Sequence, residues 1–492
     1  MKLSLQMQAK NQNALITDEH SARLPMVRIT KVILQNFKNV EYGEIDFHCG
    51  KYFVPYGTKA DILGLYGQNG SGKTALIDAL YILKELLRGS KVQNLFAECV
   101  NKNAEFAKLT FLFELQYEDG RVRKAMYEFC IKAVANSADA DAGLGASPDF
   151  IAAPFSKNKV RILDEVLSMS GPFCGSERRM NPIIDTTSNE LPFGPKSRHK
   201  FILGQDKTSQ KTLQLEVNKR LAQERSQSFI FMRETLEYLK TIGNYSEYLQ
   251  VLLELNFFGL NYFFVVNTRS SGLIRLNLAL LLHTPMGSFP IQTDDRPTDM
   301  PQGTYEIVSR YIPRINTVIE QLIPGLSIKL NPLARTVMKD GSPGQLVELI
   351  AVRNGIELPL RDESDGIRRL ISMLSLLTAA YNDPSFTLAI DEFDAGIFEY
   401  IWGEMLEIFA KHGVGQLIFT AHNLRPLEVI SKKFLYFTST DPKDRYVQLK
   451  SIARTNNMRN VYFRQIEHGN EEKVYNETKR DAIIKALRSV KE

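Results

Sequence analysis

Apolar positions along this chain change their period several times, and the changes divide it. Residues 1–25 carry no sustained apolar pattern and read as a loose N-terminal tail. A strand is expected at 28–34, leading into Gln35-Asn36-Phe37-Lys38. Ile62-Leu63-Gly64-Leu65-Tyr66 is a further strand, and 75–88 has helical spacing that stops at Gly89. Residues 109–117 alternate, Glu118-Asp119-Gly120 signals a hairpin turn, and 123–132 is the return strand. Residues 135–149, rich in Ala, Asp, Gly and Ser, read as exposed loop, and the chain is expected to stay irregular to about residue 205. Helical periodicity over 208–256 suits a helical hairpin or short coiled coil, without clean heptads. Residues 304–323 form another helix candidate, which Pro313 is expected to kink or break.

Regular punctuation returns after residue 344. A strand at 345–353 turns at Asn354-Gly355 into 356–360. Residues 364–381 read as a helix stopped by Asn382-Asp383-Pro384. Strands at 386–390 and 416–420 flank a helix at 398–412, and this spacing implies parallel pairing. The expected fold class is α/β: a mixed sheet with a parallel core and an antiparallel β lobe, interrupted by a largely helical insertion. The expected division is tail 1–25, first half 26–133, insertion 134–344 (loop-rich, then helical), second half 345–465 and a C-terminal helix at 466–492.

Composition narrows the class only a little. With 44% hydrophobic and 24% charged residues in 492, the chain is ordinary for a folded protein. A net charge of +5 is too mild to imply nucleic-acid binding by itself. Cys49, Cys99, Cys130 and Cys174 include no C-x-x-C pair, so free thiols in a reducing compartment are expected. No signal peptide is recognisable, and the longest apolar run, 276–282, is too short to cross a bilayer. A cytoplasmic location is the expectation.

Candidate chemistry concentrates in a few places. Gly67, Gln68, Asn69, Gly70, Ser71, Gly72, Lys73 and Thr74 spell a complete phosphate-binding loop between a strand and a helix. Its glycines let successive N–H groups converge on phosphate oxygens, Lys73 can reach the β- and γ-phosphates, and Thr74 can ligate Mg²⁺. Asp391 and Glu392 end the strand 386–390, where one carboxylate can hold the hydration shell of Mg²⁺ and the next can polarise water. Ser364-Asp365-Gly366 opens a helix and offers a hydroxyl, a glycine N–H and a dipole to a γ-phosphate. Arg368 and Arg369 follow in its first turn, where cations are unfavourable unless they meet an anion. His422 closes the strand 416–420 and can hydrogen-bond a γ-phosphate. Asp394 sits where a loop could cross between two nucleotide sites. Gln93 and Gln116 are candidates for a further phosphate-side glutamine.

In this order the set resembles the ABC-type ATPases of the SMC, RecF and OLD group. The resemblance rests on Asn36-Phe37-Lys38, the loop 67–74, Glu363-Ser364-Asp365-Gly366, Asp391-Glu392, His422 and the segment 454–462, and it covers roughly 26–132 and 345–465. The fuller L-S-G-G-Q signature of that group is reduced here to Ser-x-Gly. The resemblance implies Mg²⁺ and ATP as cofactors, and two ATP molecules sandwiched between two subunits. Ser364 and Gly366 of one subunit would then face the Lys73-bound phosphate of the other. OLD enzymes carry a C-terminal Toprim domain, but here Asp294-Asp295 follows no buried strand and the seven histidines show no metal spacing. Any nuclease is therefore expected in a separate partner. The functional expectation is an ATP-hydrolysing switch subunit of a bacterial antiphage defence complex, like those of the PARIS and Septu systems. It would act as a homodimer or higher homo-oligomer that controls a separate nuclease or toxin effector. The alternative is a RecF- or SMC-like DNA-binding repair ATPase, which the basic clusters at 178–200 and 454–464 allow.

Overall fold

Alternation in the first part of the chain becomes an antiparallel sheet. In the computed structural model the described residues are 24–47, 59–135, 158–171, 176–188, 190–203, 210–242, 247–267, 279–284, 287–293, 296–449, 458–468, 483 and 486. Strands β1 (Met26–Phe37) and β2 (Val40–Asp46) form a hairpin, then β3 (Asp61–Tyr66) and helix α1 (Lys73–Leu87) leave it. The chain returns through β4 (Ala107–Gln116), β5 (Val122–Ala135), β6 (Asn158–Gly171) and β7 (Ser176–Asp185). The first sheet has the order β2-β1-β4-β5-β6-β7. Strands β6 and β7 lie where irregular chain was expected. Asp164 takes φ +52° and the β5–β6 register shifts there, so the buried positions move from Val160 and Ile162 to Glu165, Leu167 and Met169. A period-2 pattern that changes face in mid-strand does not read as a strand.

Helices α2 (Lys196–Leu203), α3 (Gln210–Arg225), α4 (Arg233–Ile242) and α5 (Glu247–Asn261) follow, then β8 (Phe263–Val266). The hairpin β9 (Ala279–Thr284) and β10 (Gly287–Gln292) precedes β11 (Thr298–Pro301), α6 (Gln302–Leu322), β12 (Leu326–Val337), β13 (Pro343–Arg353) and β14 (Ile356–Pro359). The stretch 134–344 thus carries strands as well as the expected helices. Helix α6 continues through Pro313 instead of breaking. Its buried face is Val308, Ile312, Ile315 and Ile319, whereas Pro313 is exposed, so the carbonyl deprived of its partner sits on the watery side.

The remaining elements are α7 (Asp365–Asn382), β15 (Thr387–Ile390), α8 (Glu399–His412), β16 (Gln416–Thr420), α9 (Pro426–Val429), β17 (Leu435–Thr438), β18 (Tyr446–Val447) and α10 (Met458–His468). They complete a second sheet in the order β18-β17-β3-β16-β15-β8, parallel except for β18. The fold is α/β with mixed sheets. Strand β3, from the first half of the chain, sits between two strands from the second. Strand β8, from the middle stretch, pairs with β15 from Phe263↔Thr387 to Val266↔Ile390.

The parallel strands are buried on both faces, which is why they read as apolar runs. Leu63, Leu65, Ala389 and Ile418 join a core with α1 and the first sheet. Ile62, Leu388, Ile390, Leu417 and Phe419 face the opposite way, toward α7 and α8. A third core lies between α6 and the sheet of β11 to β14. Helix α7 belongs to two of them, with Met373, Leu376, Leu377 and Ala380 in the second and Leu370, Ile371 and Leu374 in the third. Among the described residues no helix is long and apolar enough to cross a membrane. Cys99 and Cys130 are buried; Cys49 and Cys174 lie outside the described residues. So do the loop expected from 136, Asp294-Asp295, residues 454–457 and most of the helix expected at 466–492.

Candidate nucleotide site

Parallel strands end on one edge, and here three such ends carry the candidate chemistry. Strand β3 runs into the loop 67–74, β16 runs into His422, and β15 runs into Asp391. The registers Thr420↔Leu65 and Phe419↔Ile390 set these ends side by side, with β16 in the middle. The two halves of the chain therefore meet where the motifs require it.

The loop is built by backbone that only glycine tolerates. Gly67, Gly70 and Gly72 have φ of 152°, 76° and 102°, and a Cβ on Gly67 would lie 1.7 Å from Thr438 Oγ1. Lys73 Nζ donates to the carbonyls of Gly67 (2.7 Å) and Gln68 (3.0 Å), so the ammonium lies across the mouth of the loop. Burial lowers the Lys73 ammonium to about 8, while the carboxylates of Asp391, Glu392 and Asp394 oppose the shift. Helix α1 starts at Gly72 with no side-chain cap and no acid in its first turn, and Thr74 follows Lys73 there. Its N-terminal dipole is thus directed at the loop.

Several residues that the sequence does not single out hold this loop. Ser71 Oγ is 2.5 Å from Thr438 Oγ1 and donates to the Gln68 carbonyl (2.5 Å). Tyr446 Oη donates to the Gly72 carbonyl (2.9 Å), and Arg445 donates to the carbonyls of Ser439 (2.7 Å) and Asn39 (2.6 Å). Asn39 in turn donates to the Gly70 carbonyl. Behind the loop, Asp78 of α1 is fully buried, pairs with Lys38 and accepts from Asn267 Nδ2 (2.8 Å), just after β8. Lys38 had a signal in the Asn36-Phe37-Lys38 motif and Ser71 in the loop motif; Asn39, Asp78, Asn267, Thr438, Arg445 and Tyr446 carry no local pattern that marks them.

The acid pair is equally constrained. Asp391 is buried, and its backbone N–H donates to Val266 of β8 (2.9 Å). Thr420 Oγ1 donates to Asp391 Oδ1 (2.6 Å) and accepts from the Glu392 N–H (2.8 Å). Glu392 takes φ +47°, a left-handed conformation uncommon outside glycine and asparagine. Partial burial, and then the Lys73 ammonium, lower the His422 imidazole, so it is neutral at pH 7 and keeps one N–H and one lone pair. Asp394 accepts from the backbone N–H groups of His422 (2.9 Å) and Asn423 (2.5 Å). Its Oδ2 is thus engaged within its own chain.

Ser364 and Gly366 lie at the start of α7. Ser364 caps α7, its Oγ accepting from the Ile367 N–H at 3.4 Å, and it is exposed with Asp365. Gly366 packs so closely on the Gly396 carbonyl that a Cβ would approach it to 1.9 Å. Arg368 pairs with Asp365 in the same turn, and Arg369 turns inward to the carbonyls of Asp391 (3.0 Å) and Glu392 (2.5 Å). Carbonyl oxygens and a neighbouring carboxylate offset the unfavourable dipole. Gln93 donates to Tyr81 Oη (3.5 Å) and Gln116 to Glu114 (2.6 Å), so neither is held at the loop by these bonds.

The arrangement can hold a triphosphate on the loop, with Thr74 and Asp391 supplying hard oxygen ligands for Mg²⁺. A hydroxyl and a carboxylate fit that ion, which prefers oxygen and keeps several waters.

No protein-family model and no curated protein sequence matches the chain. Among solved structures, the chain is similar to an Smc head domain with an extended coiled coil, bound to the C-terminal domain of ScpA and derived from Pyrococcus furiosus. The identity there is 14% and the TM-score 0.39, over 95% of this chain and 100% of that one. It is similar to the SMC head domain from Thermotoga maritima at 13% identity and TM-score 0.33, over 86% of this chain and 100% of that one. It is also similar to the recombination mediator protein RecF at 11% identity and TM-score 0.34, over 87% of this chain and 100% of that one.

Proposed function

We propose that this chain binds and hydrolyses ATP with Mg²⁺, and that two copies close over two nucleotides to form a switch. The observation that carries this reading is the meeting of Lys73, Asp391, Glu392 and His422 at one sheet edge, where burial lowers the lysine and the carboxylates of Asp391, Glu392 and Asp394 partly offset it. The loop 67–74 binds the phosphates, with Lys73 exchanging the carbonyls of Gly67 and Gln68 for phosphate oxygens. Thr74 and Asp391 hold Mg²⁺, which neutralises charge on the phosphates. Glu392 orients and polarises the attacking water, and neutral His422 donates its ring N–H toward the γ-phosphate. Exposed Ser364 and the α7 N-terminus complete the site from a second copy.

In this reading the ATPase governs a separate effector, a nuclease or toxin, as in the antiphage defence systems that its motif order resembles. The repair-ATPase alternative draws on basic residues, but part of that cluster is already engaged. The Arg198 guanidinium lies 4.3 Å from the Tyr248 ring centroid, and Lys196 pairs with Glu190.

Glu392→Gln is the deciding experiment. ATP turnover is expected to fall about 100-fold or more while nucleotide stays bound and dimers accumulate. Unchanged turnover in that variant defeats the hydrolytic reading. Co-purification with the product of a neighbouring gene tests the effector, and binding to duplex or single strands that weakens steeply with salt would favour the repair ATPase instead.

A further inference from the structure

Arg369 is a buried cation whose partners are unusual. It is 8% exposed, it sits in the first turn of α7, and its Nη2 donates to two successive carbonyls, those of Asp391 and Glu392. Its Nε is buried without a hydrogen-bond partner. Leaving one donor unsatisfied is costly, so the bonds that are made outweigh a penalty. One of them is made to Glu392, a non-glycine residue held left-handed. Thr420 Oγ1 fixes that residue on its N–H side and Arg369 fixes it on its carbonyl side.

The other end of this link is α7 itself. The helix is shared by two cores, and its N-terminal turn is tied outward. Arg353 of β13 makes a bidentate pair with Glu363 (3.2 and 3.0 Å), the residue before Ser364, and Gly366 abuts the Gly396 carbonyl. A displacement of that turn is therefore passed to the arginine, and through it to the main chain of the acid pair.

We propose that Arg369 is a positioning residue for hydrolysis, setting the backbone of Glu392 so that the carboxylate is aimed at water only when the N-terminal turn of α7 is in place. The proposal rests on the ATPase reading above and specifies how that site is regulated. Whatever presses on Ser364 or on the β13 end of the third sheet then controls turnover without touching the phosphate loop.

The test uses Arg369→Lys, which keeps the charge but cannot reach both carbonyls equally, and Arg369→Met, which keeps only the stem. Trp402 is the sole tryptophan of the chain, and its ring centroid lies 3.7 Å from that of Phe393, the neighbour of Glu392. Its emission in nucleotide-free protein reports the local main chain independently of activity. Expected are a kcat lowered about 10- to 100-fold, more in Met than in Lys, with the Kd for ATP within about threefold of wild type. An altered Trp402 emission is expected with it. Lys124→Gln, which removes an exposed charge from β5 of the first sheet, is expected to leave kcat unchanged. Wild-type kcat in both Arg369 variants, or an equal loss in kcat and ATP affinity, overturns the proposal; so does global unfolding of both, which would make the arginine a scaffold residue. If wild-type protein hydrolyses no ATP, the functional reading fails, and the Trp402 emission still decides whether Arg369 holds the acid pair.

Discussion

Two helix N-termini face the chemistry of this molecule, and they are built in opposite ways. Helix α1 begins on a glycine with no side-chain cap, no acid and a buried lysine, and its loop is tied down by Thr438, Tyr446 and Asn39. Helix α7 begins on a serine that caps it, carries Asp365 in its first turn and is open to solvent. The first terminus keeps its dipole for a ligand inside a rigid frame. The second has partly satisfied its own dipole and lies open to solvent. In the proposed function the first is finished within the chain and the second serves as a contact face.

The contrast can be broken most forcefully at Lys73. Lys73→Ala is expected to weaken ATP binding about 100-fold or more, measured by titration with a fluorescent nucleotide. If binding survives, the finished terminus is not the phosphate site. Ser364→Ala sharpens the other side. It should cost about 1 kcal/mol of stability through the lost cap, leave ATP binding by one chain within about threefold, and lower turnover about 10-fold. Equal losses in binding and turnover would erase the distinction between the two ends.

The smallest effect is expected in the scaffold behind the phosphate loop. Glu254 of α5 accepts from Tyr117 Oη (2.7 Å) and Gln250 Nε2 (2.8 Å), and burial pushes its carboxyl up from 4.5 to about 7. The folded state thus holds a proton that the unfolded state has lost between those values. The stabilisation is complete below the lower value and disappears as pH rises through about 7, by at most about 3 kcal/mol. Glu254→Gln should flatten the difference in melting temperature between about pH 5 and about pH 8. A variant as pH-sensitive as wild type would place the titrating group elsewhere.

How much of this was legible depended on how local each feature is. The loop 67–74 and the strands ending at Ile390 and Thr420 are readable because a motif and an unbroken apolar run lie within a few residues. Ser364 was readable as a cap for the same reason. Strand β8 was hidden: Phe263–Val266 is four residues long and follows α5 after a single position, so its apolar run merges with the helix pattern. Strand β6 was lost to its bulge. Thr420, Thr438, Arg445 and Tyr446 matter through partners far away in the sequence, and Arg369 through carbonyl oxygens that no sequence pattern marks.

The place of β3 between β16 and β17 has a consequence for biosynthesis. A ribosome makes the phosphate motif early, but the strands that flank it and the tyrosine that pins Gly72 emerge 355 to 374 residues later. At roughly 5–20 residues per second that is a delay of roughly 20–80 s. Throughout it β3 lacks both of its neighbours in the sheet, and a product terminated before β16 never gains them.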